Sequence, residues 1–230
     1  MVRVTLPRTP ARVAAIAAAI GSATALIVGT APTVAAEPHG QGSACSDVEV
    51  VFARGTNEAV GIGRTGQAFV NALSAQRPDR TISTYAVDYP ASYDFLTTAA
   101  GATDATAHIA KMALQCPSTR IVLGGYSQGA AVVDMMAGIP PLGNKIGDIG
   151  SAAPLSATSA VTVASVAVFG NPATKFGNPV SSSGLFAGRA IDLCKDGDPI
   201  CSKGRNPFAH SDYVSAGLTQ RAANFTAGMI

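Results

Sequence analysis

The chain has 230 residues, 47% of them hydrophobic and 13% charged, with a formal net charge of +2, four cysteines and three histidines. That balance provides no basic excess with which to hold nucleic acid or an anionic membrane. The length suits one sizeable core and is short for two comfortable domains.

In chain order the first element is a leader. Arg3, Arg8 and Arg12 precede an alanine-rich apolar stretch from Val13 to Val28, and small residues follow in "APTVAAEP". This is the layout of a secretory signal peptide, with Val34 and Ala36 where a signal peptidase reads. Residues 1–36 are expected to be removed, leaving 37–230 as a single domain. Pro32 and the polar run behind it end the apolar stretch short of the ~20 residues a membrane span needs. The three leader charges are all arginines, so the mature chain has thirteen basic residues against fourteen acidic ones. In an oxidising compartment the even set Cys45, Cys116, Cys194 and Cys201 implies two disulfides. Of the three pairings, Cys45 with Cys116 and Cys194 with Cys201 is the simplest, because the second pair flanks a short turn-rich loop. The cysteine spacing does not fit a zinc site, and no metal is expected.

Beyond Cys45, short β-rich runs alternate with helical patterns. "VEVVFA" (48–53), "TISTYAV" (81–87), "RIVLGGY" (120–126), "VTVASVAVFG" (161–170) and "RAIDL" (189–193) read as five strands. Between them Phe69, Val70 and Leu73 share a helical face, as do Ile109, Met112 and Ala113, and Val132, Val133 and Met136. Non-alternating apolar strands joined by helical crossovers indicate a parallel sheet covered on both faces, an α/β fold. Residues 138–159 and 171–184 read as irregular surface excursions. Neither is long enough in helix for a lid, so an open site is expected.

Gly125-Tyr126-Ser127-Gln128-Gly129 fits G-x-S-x-G, the strand-to-helix elbow that projects a serine nucleophile. The competing reading is a glycine-rich turn whose serine only caps the helix. A serine hydroxyl needs a base. His39 lies near the new terminus and His108 sits in a helical segment before the serine. His210 alone follows the elbow's chain order of nucleophile, acid, histidine. Asp134, Asp148, Asp192, Asp196 and Asp198 lie between Ser127 and His210. Only Asp196 and Asp198 fall just past the carboxyl end of the last strand, where α/β sites gather. An oxyanion hole would draw one amide from Gln128 and one from Thr56, in the loop "FARGTNE" after the first strand.

These stretches, namely "CSDVEVVFARGTNE", "YAVDYPAS", "RIVLGGYSQGA", "FGNP", "DLCKDGDPIC" and "AHSDY", occur together and in order as in the cutinases. The chain resembles the secreted cutinase-like proteins of actinobacteria over nearly its whole mature length. The resemblance implies a small lidless α/β-hydrolase with sheet order 2-1-3-4-5 that hydrolyses carboxylic esters without a cofactor. It implies Asp198 as the acid, with Asp196 solvated, and the same two disulfides. It also implies that Thr56, where fungal relatives carry serine, contributes both amide and hydroxyl. "NPFAH" departs from the fungal loops.

The expected partner is an ester or lipid substrate of short to medium acyl chain, met by a monomer outside the cell. Association with the cell envelope is left undecided, and neither nucleic acid nor an integral membrane span is expected in the mature protein. An acetylxylan esterase, a phospholipase or an acyl transferase could use the same residues, and a non-catalytic binding protein could keep the fold. A dinucleotide site is a further rival, because Gly61-Ile62-Gly63-Arg64-Thr65-Gly66 fits G-x-G-x-x-G with Asp88 after the next strand. However, "RGTNEAV" separates that pattern from the strand end on which the fingerprint should sit.

Overall fold

The computed structural model describes residues 45–143 and 148–230. The expected leader, its cleavage point and His39 lie outside them. Five strands, β1 (Val48–Ala53), β2 (Ile82–Ala86), β3 (Arg120–Tyr126), β4 (Val163–Phe169) and β5 (Ala190–Leu193), form one parallel sheet in the order 2-1-3-4-5. The helices are α1 (Gly63–Gln76), α2 (Thr98–Gln115), α3 (Gln128–Met136), α4 (Ala157–Ala160), α5 (Pro172–Lys175) and α6 (Leu218–Ala227).

The apolar strand runs are explained by burial on both faces. Val48, Val50 and Phe52 of β1 pack with Phe69 and Leu73 of α1 and Ala222 and Ala223 of α6. Val51 and Ala53, pointing the other way, join Ala102, Ala105 and Ile109 of α2 and Val132, Val133 and Met136 of α3. Phe52, Phe69 and Phe169 meet with ring centroids 6.0–6.4 Å apart, filling the α1 side. Small residues allow close packing elsewhere, so the alanine richness of the sequence is spent on helix-to-sheet contact.

Three helices differ from the sequence expectation, the one-turn α4 closing the excursion 138–159, α5 and α6. Helix α6 has no strong apolar stripe, because its buried positions are Thr219, Ala222, Ala223 and Thr226. It is secured at its end by Arg77, whose guanidinium donates to the carbonyls of Ala227 and Ile230. Within the excursion 171–184, Asn171 caps the one-turn helix α5, its side-chain oxygen accepting from Ala173 N–H at 2.9 Å.

Both disulfides form as the simplest pairing has them, Cys45–Cys116 and Cys194–Cys201, with Cα separations of 5.6 and 5.8 Å. The first ties the approach to β1 to the end of α2 across 71 residues. The double variant Cys45→Ser/Cys116→Ser is expected to lose about 2–5 kcal/mol of unfolding free energy. Urea denaturation measures this, and a variant as stable as the parent would show that sheet and helix hold this corner without the covalent tie.

Candidate active site

Loops from the carboxyl ends of β1, β3 and β5 converge above one edge of the sheet. Ser127 stands alone between β3 and α3 with φ 55° and ψ −114°. A non-glycine residue held there costs about 1–3 kcal/mol, which the surroundings must offset. Its N–H donates to the Phe169 carbonyl at 2.8 Å, and its own carbonyl accepts from Ala130 N–H at 2.9 Å. The flanking glycines are required by contact. A Cβ on Gly125 would lie 2.1 Å from the Gly129 carbonyl oxygen, and one on Gly129 would lie 1.9 Å from that of Ala53.

His210 arrives on the 3-10 turn Pro207–Ser211, whose start is capped by the Asn206 side chain. Its Nε2 is 2.8 Å from Ser127 Oγ and its Nδ1 is 2.8 Å from Asp198 Oδ2. Tyr126 fixes the ring from behind. Its hydroxyl donates to the His210 carbonyl at 2.5 Å, and the two rings stack at 5.1 Å. Burial, with Glu58 and Asp198 nearby, pushes the Tyr126 phenol up to about 12, so it stays a donor.

Asp198 is fully buried inside the loop closed by Cys194–Cys201. Its Oδ1 accepts from Ile200 N–H at 2.8 Å and its Oδ2 from the Tyr213 hydroxyl at 2.5 Å. Burial opposes its ionisation, but the hydrogen bonds from His210, Tyr213 and Ile200 outweigh it and hold the carboxyl below its usual 3.8. Burial and the same carboxylate push the Tyr213 phenol far above its usual value.

Thr56 follows β1 and reaches the opposite side, where its hydroxyl donates to Gln128 Oε1 at 3.0 Å. The loop that carries it is braced by two charged residues. The Arg54 guanidinium donates to the carbonyls of Glu58 (3.1 Å) and Tyr89 (2.7 Å). The Glu58 carboxylate accepts from Gly55 N–H (2.7 Å) and from Arg64 N–H in the first turn of α1 (2.9 Å). Glu58 thus occupies the helix start that a pyrophosphate would need, so Gly61 to Gly66 serve a turn and the dinucleotide reading falls. Thr56, Ser127, Gln128 and His210 line a cleft of about 520 Å³, with Tyr93, Phe95 and Ile200 among its apolar walls.

The Cutinase family model matches residues 44–230. The chain belongs to the cutinase family. Phospholipase Culp4 of Mycobacterium tuberculosis is 46% identical over 216 residues, covering 94% of this chain and 90% of that protein. Carboxylesterase Culp1 of Mycobacterium bovis is 41% identical over 218 residues, covering 89% and 93%. Among solved structures, a Trichoderma reesei cutinase in complex with a C11Y4 phosphonate inhibitor superposes with a TM-score of 0.63 at 31% identity, covering 80% of this chain and 77% of that one. An acetylxylan esterase superposes at 0.67 with 25% identity, covering 80% and 99%. The family is one of carboxylic ester hydrolases, and the chain is an enzyme of that class.

Within this fold the remaining candidates take other places. Asp196 and Asp148 are exposed. Asp134 and Asp192 share the Asn171 amide, which donates to one oxygen of each at 3.0 and 2.9 Å. Asp134 is fully buried, and its Oδ2 has no hydrogen-bond partner. Burial, reinforced by Asp192, raises its carboxyl well above 3.8 despite the Asn171 bond. His108 is paired with Glu49 at 2.8 Å and stacked on Tyr85, away from Ser127 on the α2 face. Among the described residues no cluster of three histidines, cysteines or carboxylates could hold a metal, and no helix is long and apolar enough to cross a membrane. Sequence reasoning did not single out Tyr213, Arg54 or Glu58. Each lies inside a quoted motif, but only the folded distances give it a partner.

Two outcomes follow from these carboxyls. Because the folded value of Asp198 lies below the unfolded one, it contributes stability above about pH 3.8 and loses it as pH falls through the folded value. Tyr213→Phe should therefore cost about 1.5–3 kcal/mol at pH 7, with the gap to wild type narrowing by pH 3 in urea titrations. Asp134 has the opposite sign: the fold keeps a proton that the unfolded chain gives up, so its contribution is lost as pH rises above 3.8. Asp134→Asn should be more stable than wild type at pH 7 and lose that advantage near pH 3.5. Thermal melts across this range check it.

Proposed function

We propose that the protein is a secreted serine esterase in which Ser127 is the nucleophile, His210 the general base and Asp198 the residue that orients the imidazole. The observation that carries this reading is the unbroken line from Ser127 Oγ through His210 to Asp198, both links 2.8 Å, at the floor of an apolar cleft. His210 Nε2 takes the Ser127 proton as Oγ bonds to the ester carbonyl carbon. The carbonyl oxygen becomes an anion facing the backbone N–H groups of Thr56 and Gln128. Collapse of this intermediate breaks the bond to the alcohol, which leaves with the proton held by His210. Water, deprotonated by the same imidazole, then attacks the acyl-enzyme and releases the acid. Asp198, ionised and fixed by three donors, keeps Nδ1 protonated and stabilises the imidazolium while it exists. The scheme requires no metal or cofactor.

The substrate we infer is an ester of a short to medium acyl chain. Tyr93 and Phe95, 74% and 42% exposed at the rim, extend the apolar surface beyond the serine, which suits an acyl tail better than a bare acetyl group on a sugar. A phospholipase reading has the same support from the rim and from the relative so named. Export rests on the leader of residues 1–36 and on two disulfides in the folded domain. The first residue of the exported protein, read by mass spectrometry, should be Glu37.

A panel of p-nitrophenyl esters, cutin, phospholipid and acetylated xylan tests the reading on wild type and Ser127→Ala. Turnover of the acyl esters should fall on the order of 10⁶-fold in the variant. Equal turnover by both proteins would reject Ser127 as nucleophile. Wild-type rates should also rise smoothly through the concentration at which substrate forms micelles, because the cleft is open without an interface.

A further inference from the structure

Behind the Thr56 loop, side-chain hydrogen bonds run in one direction. The Thr56 hydroxyl donates to Gln128 Oε1 at 3.0 Å, Gln128 Nε2 donates to Thr98 Oγ1 at 3.0 Å, and the Thr98 hydroxyl donates to the Phe95 carbonyl at 2.6 Å. Gln128 is 5% exposed and Thr98 fully buried, so these groups must find partners within the protein. In this sense the Thr56 hydrogen is engaged on Gln128 rather than on the cleft that Thr56 lines with Ser127.

The same heavy atoms can hold the opposite sense. When the Gln128 amide turns over, Nε2 faces Thr56 Oγ1 and Oε1 faces Thr98 Oγ1. The Thr98 hydroxyl then donates to Oε1. The Phe95 carbonyl it leaves keeps a bond from the Thr98 backbone N–H. Thr56 Oγ1 becomes an acceptor, and its hydrogen is released. Each buried polar atom keeps a partner in either sense, so neither carries a desolvation cost that the other avoids. Position 98 must both accept and donate for this to hold, which a hydroxyl can do and a methyl cannot.

Resting on the serine-esterase reading above, we propose that Thr98 is a positioning residue for ester hydrolysis. Its hydroxyl allows the Gln128 amide to reverse, and the reversal delivers the Thr56 hydroxyl as a third donor to the oxyanion beside the two backbone amides. The substrate oxygen acquires full charge only as the Oγ–C bond forms, so the third donor acts on the transition state more than on the bound ester. Thr98 borders the cleft, but its hydroxyl is bonded to Gln128 and Phe95. Its effect passes through Gln128 to Thr56.

The experiment is a double-mutant cycle read by kcat and KM on one p-nitrophenyl ester. Thr98→Val should lower kcat about tenfold with KM changed less than about twofold, and Thr98→Ser should recover most of the loss. In a Thr56→Val background, which keeps the backbone amide and removes the hydroxyl, Thr98→Val should change kcat by less than about twofold. Equal losses in the two backgrounds, or no recovery with serine, would overturn the proposal. Thr98→Ala, which introduces no new bulk, reads the same coupling should valine prevent folding. Ser127→Ala separates the two levels: if it retains wild-type turnover, the esterase reading fails and the proposal with it, whereas an inactive Ser127→Ala beside an additive cycle rejects the role of Thr98 alone.

Discussion

The close approach of the first turn of α3 to the end of β1 is the constraint from which the site is built. With 1.9 Å between the Ala53 carbonyl oxygen and the place a Cβ on Gly129 would take, helix and strand can pack this tightly only where side chains are missing. That packing leaves the chain between β3 and α3 no room to turn gradually, so Ser127 takes the bend with a positive φ. The same approach brings Gln128, the first residue of the helix, against Thr56, which belongs to the loop leaving β1. The placement of Ser127, Gln128 and Thr56 beside one another is therefore the product of one contact, made before any substrate is present.

The other half of the site is organised by a carboxylate taken out of water. Asp198 has no exposed surface and would be costly to ionise alone. Donors on three different segments meet it: an imidazole from the 3-10 turn, a phenol just beyond that turn and the backbone N–H of Ile200. The imidazole is itself fixed, because Tyr126 holds His210 through both its hydroxyl and its ring. The rigidity here comes from electrostatic necessity rather than from regular secondary structure, since the segment between β5 and α6 contains only turns and one short 3-10 helix.

What could be read from the sequence, and what could not, follows the range of the forces involved. The five strands and three longer crossover helices were legible because apolar periodicity is local. The elbow was legible because its glycines are adjacent to the serine. The sheet order and disulfide pairing stand as expected. The choice between Asp196 and Asp198 could not be made from spacing: the two are separated by one glycine, and which is buried depends on Tyr213 and on the fold of the loop. Family resemblance supplied that choice. Helix α6 escaped notice because alanine and threonine bury its inner face without an apolar stripe. Arg54 and Glu58 carried no signal of their own, because their partners lie up to 35 residues away or at the start of a helix.

The short bridge between Cys194 and Cys201 spans seven positions and encloses Asp198. While both sulfurs are thiols, that aspartate rides on an untethered segment and its alignment with the imidazole rests on hydrogen bonds alone. Closing the bond fixes both ends of that loop, one on either side of the carboxylate. A polypeptide in which this bridge is reduced thus lacks a covalent tether on the loop that carries its buried carboxylate.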